Sequence, residues 1–119
     1  MPVIDFQSPQ RIPPPTLFPA VAAAVRELLH LPEDRVWLVW HHIDEGGYFR
    51  KHWTSGEGNQ CPIVRVRCKI EYTDEQVEAL ITTLAELLCE HCDVNLDSVY
   101  IVVDPVMKNR LFVRGAIWT

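Results

Sequence analysis

Basic residues are scarce in this chain. Lys and Arg number 11 against 16 Asp and Glu, a net charge of −5. That balance excludes nucleic acid as the main partner and leaves no basic patch for a membrane surface. No apolar run approaches the roughly 20 residues that a membrane helix needs. The first residues lack the charged and long apolar segments of a secretory signal, so a cytoplasmic protein is expected. Glycine is rare, at 5 of 119 residues, and there is no Gly-rich phosphate loop, nucleotide fingerprint or defensible Ser-His-Asp order. Cysteine is limited to Cys61, Cys68, Cys89 and Cys92. Without a secretion signal these are expected as free thiols rather than two disulfides. Cys89-Glu90-His91-Cys92 looks like a metal or redox motif. It falls inside a predicted helix, however, and no second Cys or His pair sits at zinc spacing, so no metal or cofactor is expected.

What is present is ordinary in amount and unusual in order. At 119 residues, 48% apolar and 23% charged, the chain is one soluble domain by the usual proportions. It opens Met1-Pro2-Val3-Ile4-Asp5-Phe6. Removal of Met1 would leave Pro2 as a secondary amine at the head of a strand built from Val3, Ile4 and Phe6. An α-amino group has an ordinary pKa of about 8, and burial beside a cation lowers it toward neutrality, where it becomes a usable general base.

Pro9 and Pro13-Pro14-Pro15 then force an extended connection. Thr16 is placed to cap a helix whose apolar face steps through Leu17, Val21, Ala24, Leu28 and Leu31, ending at Leu31-Pro32. The apolar run Val36-Trp37-Leu38-Val39-Trp40 predicts a strand covered on both faces. His41-His42 follows it, and the two should face opposite ways in a structural role. Thr54 to Asn59 reads as a flexible linker.

The pattern then repeats. Cys61-Pro62-Ile63-Val64-Arg65-Val66 echoes the opening at a spacing of 60 residues. Thr73-Asp74-Glu75-Gln76 is a capping box, followed by an apolar face of Val77, Leu80, Ile81, Leu84, Leu87 and Leu88. Ser98 to Val103 forms the next strand, and Leu111-Phe112-Val113 closes the unit before Gly115 bends the tail toward Trp118. The expected fold is α/β: two tandem β-α-β units, at 1–53 and 61–119 with a linker at 54–60, forming one four-stranded mixed sheet. Each unit should make a right-handed crossover, putting both helices on one face. The strands look apolar on both faces, so the uncovered face must meet other subunits, and an oligomer is expected.

An amino-terminal proline heading a strand–helix–strand unit that is repeated once resembles the tautomerase superfamily, over essentially the whole chain. Leu17-Phe18 and Val64-Arg65-Val66-Arg67-Cys68-Lys69-Ile70 resemble 5-carboxymethyl-2-hydroxymuconate isomerases. The capping box and its helix resemble 4-oxalocrotonate tautomerases, and Asp97-Ser98-Val99-Tyr100-Ile101 resembles macrophage migration inhibitory factors. Pro32-Glu33-Asp34-Arg35 resembles malonate semialdehyde decarboxylases, where an aspartate at this point helps to activate water. The resemblance implies a homotrimer in which Pro2 transfers the proton, Arg35 and Lys69 line the substrate site, and Tyr100 occupies an active-site position. Many relatives hold a substrate carboxylate with an arginine where this chain has Tyr72. Tyrosine lacks the two-pronged grip of arginine, which counts against a dicarboxylate unless Lys69 or Arg35 compensates.

Tautomerising a keto acid needs a base near neutral pKa and a cation or donor for the enolate. Pro2 is the candidate base, Arg35 and Lys69 the candidate cations, and Tyr100 and Tyr72 the candidate donors. Trp37 or Phe112 would wall the pocket. Arg35 equally suits a surface pair with Asp34 or Glu33. The expected function is keto–enol tautomerisation of a small 2-keto or 2-hydroxy unsaturated acid, without a cofactor. Two alternatives stand beside it: a hydratase-type decarboxylase or dehalogenase, with Pro2 as acid and Asp34 activating water, and a non-enzymatic binding protein on the same scaffold. The hydrolytic relatives carry paired arginines near the second helix. Arg65 and Arg67 look like such a pair but lie too early, on one strand face.

Overall fold

The computed structural model describes residues 2–50 and 60–119, so the expected 54–60 linker, apart from Gln60, lies outside the described residues. Six strands and two helices follow in the order β1 (Val3–Ser8), α1 (Leu17–Leu29), β2 (Trp37–His42), β3 (Ile63–Lys69), α2 (Asp74–Cys92), β4 (Tyr100–Val106), β5 (Phe112–Val113) and β6 (Ala116–Ile117). The main sheet has the order β2-β1-β3-β4. β1 runs parallel to β2 and β3 parallel to β4, while the central β1–β3 pair is antiparallel. Two parallel β-α-β units are thus joined through their first strands into one mixed sheet, as the repeat implies.

Alternation along the strands decides what the helices cover. Ile4, Phe6, Val64, Val66 and Cys68 point to the helical side and are buried with Leu17, Val21, Val25 and Leu29 of α1 and Leu80, Leu84 and Leu88 of α2. Phe6, Phe18 and Trp40 stack at one end of this core, with centroids 5.4–6.4 Å apart. The Trp40 indole N–H donates to the Gln10 carbonyl at 3.0 Å, which satisfies its polar edge.

Several local expectations change. α1 ends at Leu29, not Leu31, because His30 adopts a left-handed conformation (φ 54°) as its cap. Its buried positions are Leu17, Val21, Val25 and Leu29, a stripe rotated from the expected one, with Leu28 and Leu31 only half-buried. Thr16 makes no capping bond; its hydroxyl joins His91 Nδ1 at 2.7 Å and ties α1 to the end of α2. The capping box on α2 forms as predicted, with reciprocal bonds between Thr73 and Gln76. β2 is an edge strand covered on one face only: Leu38 and Trp40 are half-buried on the core, while Trp37 and Val39 stay exposed. The tail forms a separate β5–β6 hairpin, turning through Arg114 (φ 56°) and Gly115 (φ 81°). Two successive positive φ values in a two-residue turn explain the glycine.

Candidate functional site

Strand direction sorts the candidate residues to two ends of the sheet. One end collects the starts of β1 and β2 and the finishes of β3 and β4. Pro2 lies there, its side chain buried and its carbonyl accepting the Trp37 N–H at 3.1 Å. Val3 pairs with Trp37 on one side and Arg67 on the other, so the start of β2 and the end of β3 flank the start of β1. β3 continues two residues past Arg67 and brings Lys69 beside that start.

Arg35 arrives at this end on a single 3₁₀ turn, Glu33–Arg35, immediately before β2. Its Nε lies 3.6 Å from Asp34 Oδ1, beyond hydrogen-bond reach, and is a buried donor without a hydrogen-bond partner. The Arg35 side chain as a whole keeps 29% of its surface exposed at this end of the sheet. The Asp34 carboxylate points to solvent, and its backbone carbonyl accepts from the Trp37 indole at 3.2 Å. The Lys69 ammonium sits 4.7 Å from the centre of the Trp118 ring. Tyr72 is half-buried against the core, and burial, with the Glu71 charge, pushes its hydroxyl pKa up. Phe112 stands exposed on β5.

Tyr100 is at the other end. It pairs with Ile63, which pairs with Gln7, five residues along β1 from Pro2. At about 3.3 Å per residue that is roughly 16 Å away, so one chain does not bring Tyr100 to its own Pro2. This second end is tied by residues the sequence did not single out. Arg50 donates from Nη1 to the Cys61 carbonyl (2.9 Å) and the Tyr48 hydroxyl (3.1 Å), and from Nη2 to the Ser98 carbonyl (2.6 Å). The Tyr48 hydroxyl also donates to the Cys61 carbonyl. Cys61-Pro62 repeats Met1-Pro2, so Arg50 fastens the second unit at the place that corresponds to the Pro2 end. The repeat offered the signal, since Tyr48-Phe49-Arg50 falls 63 residues before Leu111-Phe112-Val113.

Between the two ends, the face of the sheet away from the helices carries a charged centre. Asp5 accepts from Arg67 Nη2 at 2.7 Å and contacts His41 Nε2 at 3.0 Å, and Arg65 pairs with Asp104. Burial by itself would raise the Asp5 pKa, but the bonds and charges of His41 and Arg67 outweigh it and hold the carboxyl below the usual aspartate range. Asp5, His41, Arg65 and Arg67, with Gln7, Ile63 and Val102, line a depression of about 310 Å³. Arg65 and Arg67 do share this face, each with its own aspartate partner. His42 points the opposite way and contacts the Gln10 carbonyl at 3.3 Å.

All four cysteines are free thiols. Burial raises their pKa values, that of Cys92 to about 11, which makes them poor nucleophiles. Among the described residues no group of three His, Cys, Asp or Glu is arranged to hold a metal, and no helix is long and apolar enough to cross a membrane.

No protein-family model matches the sequence, and no curated protein sequence matches it. Solved structures do match its fold. Pt0534 inactivated by 2-oxo-3-pentynoate superposes with a TM-score of 0.83 and 18% identity, over 98% of this chain and 94% of that one. A fused 4-OT asymmetric trimer gives 0.81 and 18%, over 97% and 94%. Macrophage migration inhibitory factor from Oncomelania hupensis gives 0.78 and 19%, over 100% and 83%. The architecture of this chain is the fold that these proteins share.

Proposed function

We propose that the protein is a cofactor-independent tautomerase of small 2-keto acids, with Pro2 as the proton-transfer residue once Met1 has been removed. The observation that carries this is the convergence at one end of the sheet. There Pro2 precedes β1, Arg35 precedes β2 and Lys69 closes β3. A free Pro2 amine beside these cations would have its charged form disfavoured and would serve as a base near neutral pH. It would take a proton from one position of the substrate and return it at another. Arg35 and Lys69 would hold the carboxylate and the developing enolate, while Trp37 and Phe112 offer apolar walls and Tyr72 a hydroxyl.

The neighbouring folds support the same chemistry. Pt0534 is inactivated by 2-oxo-3-pentynoate, an electrophilic 2-oxo acid that takes up a nucleophile by conjugate addition. The fused 4-OT structures are trimers, and the uncovered sheet face of this chain supports a homotrimer here. In such an assembly Tyr100 would line a Pro2 site from a neighbouring copy, since its own Pro2 is out of reach.

The test is ketonisation of phenylpyruvate enol or 2-hydroxymuconate. The wild-type protein is expected to be active, and Pro2→Ala to lose roughly 10²- to 10⁴-fold in kcat/KM. Wild-type protein that carries a free Pro2 by intact mass yet has no such activity overturns the proposal. The hydratase-type alternative requires Asp34 to activate water. Its carboxylate faces solvent, away from the enclosed position that such a role needs. Release of carbon dioxide or halide from acrylate-type substrates, lost in Asp34→Asn, would favour that alternative. A non-enzymatic binding protein would show neither activity.

A further inference from the structure

We propose that Trp118 is a positioning residue that fixes the Lys69 ammonium at the Pro2 end, a role that rests on the tautomerase function proposed above. Lys69 closes β3, pairs with Val106, and stands beside the start of β1. Its Nζ lies 4.7 Å from the centre of the Trp118 ring, well within the range of a cation–π contact. The ring is not on a loose tail. Trp118 N–H donates to the Leu111 carbonyl and its own carbonyl accepts from Asn109 N–H, both at 2.8 Å. The β5–β6 hairpin, with its Arg114-Gly115 turn, thereby sets where the ring sits.

The kind of partner matters. Arg65 and Arg67 on the same face are each opposed by an aspartate, and Arg35 leans toward Asp34. A carboxylate partner neutralises a cation and occupies its donors. An aromatic face attracts the ammonium through the ring quadrupole, adds no charge, and leaves the N–H donors free for a third party. Among the described residues no carboxylate pairs with Lys69. A lysine held by an acid would have to break that pair to meet an enolate. One held by Trp118 meets it with full charge and with its long stem already ordered.

Trp118→Leu keeps apolar bulk and removes the π face, while Trp118→Phe keeps a weaker face. The expected result is a fall in kcat/KM of roughly three- to tenfold for Trp118→Leu, mostly in kcat, with partial retention in Trp118→Phe. In a Lys69→Met background, Trp118→Leu should change nothing further. Equal losses in both backgrounds would mean that the ring merely supports the hairpin, and would overturn the proposal.

The contact itself is read without activity, by NMR of protein labelled at the lysine ε-carbons. The chain has three lysines, Lys51, Lys69 and Lys108. The ring current should shift the Lys69 signal upfield, and Trp118→Leu should return it. No shift in the wild-type protein overturns the proposal even if the enzyme is active. A shift in a protein without Pro2-dependent ketonisation leaves the contact standing and removes the tautomerase function, and with it the catalytic purpose of the clamp.

Discussion

Among individual residues, Asp5 makes the sharpest statement about pH. It sits under Arg67 and His41 in the middle of the sheet, and their bonds and charges hold its pKa below the ordinary aspartate range. A carboxyl whose folded pKa is depressed contributes stability above its unfolded pKa and loses it as pH falls through the folded value. The urea midpoint of the wild-type protein should therefore decline below about pH 4, the ordinary aspartate range. Asp5→Asn should lower the midpoint at pH 7 and flatten the decline. An identical acid slope in the variant would mean that Asp5 carries none of it. Asp5 was present in the opening strand yet had no visible role in the sequence. Its partners come from β2 and β3, 36 and 62 positions away, and only strand register brings them together. Arg50 is hidden in the sequence for the same reason, because two of its three partners are backbone carbonyls, which no side-chain motif advertises.

At the level of elements, short-range chemistry was readable and rotational phase was not. The box at Thr73 and Gln76 is a contact across three residues, and it forms. Thr73→Ala should cost about 1 kcal/mol, read as a lower urea midpoint. The face of α1 was harder to assign, because Ala24 and Leu28 satisfy the apolar period as well as Val25 and Leu29 do. The choice between those stripes belongs to the sheet beneath, where Ile4 and Phe6 take the space. For α2 the apolar stripe is broad enough that its centre, Leu80-Leu84-Leu88, fell within the expected set. Leu84, fully buried between helix and sheet, should cost about 2–5 kcal/mol when cut to alanine. The hairpin at 112–117 is not legible as an element because each of its strands has two residues, too few to show alternation.

For the molecule as a whole, the repeat gave the fold and the open face tells what the fold still lacks. Two units set antiparallel through β1 and β3 put Pro2 and Tyr100 at opposite ends, a separation that no list of candidate residues reveals. They also leave a sheet face on which Trp37, Val39 and Tyr100 are exposed around the charged centre of Asp5, Arg65, Arg67 and Asp104. An apolar surface of this kind marks an interaction site more often than a free surface, and in the proposed trimer two further copies would cover it. Val39 provides the test, since it is exposed beside Asp5 on the neighbouring strand. In a lone chain Val39→Lys gains an opposite charge across the strands and should leave the fold intact. In an assembly the same lysine must be desolvated at the interface, which is costly. Sedimentation of the wild-type protein should give three times the 13.7 kDa chain mass. The variant should shift toward a single copy with an unchanged circular dichroism spectrum. A wild-type monomer would overturn the trimer, and a variant that still sediments as wild type would move the interface off this face.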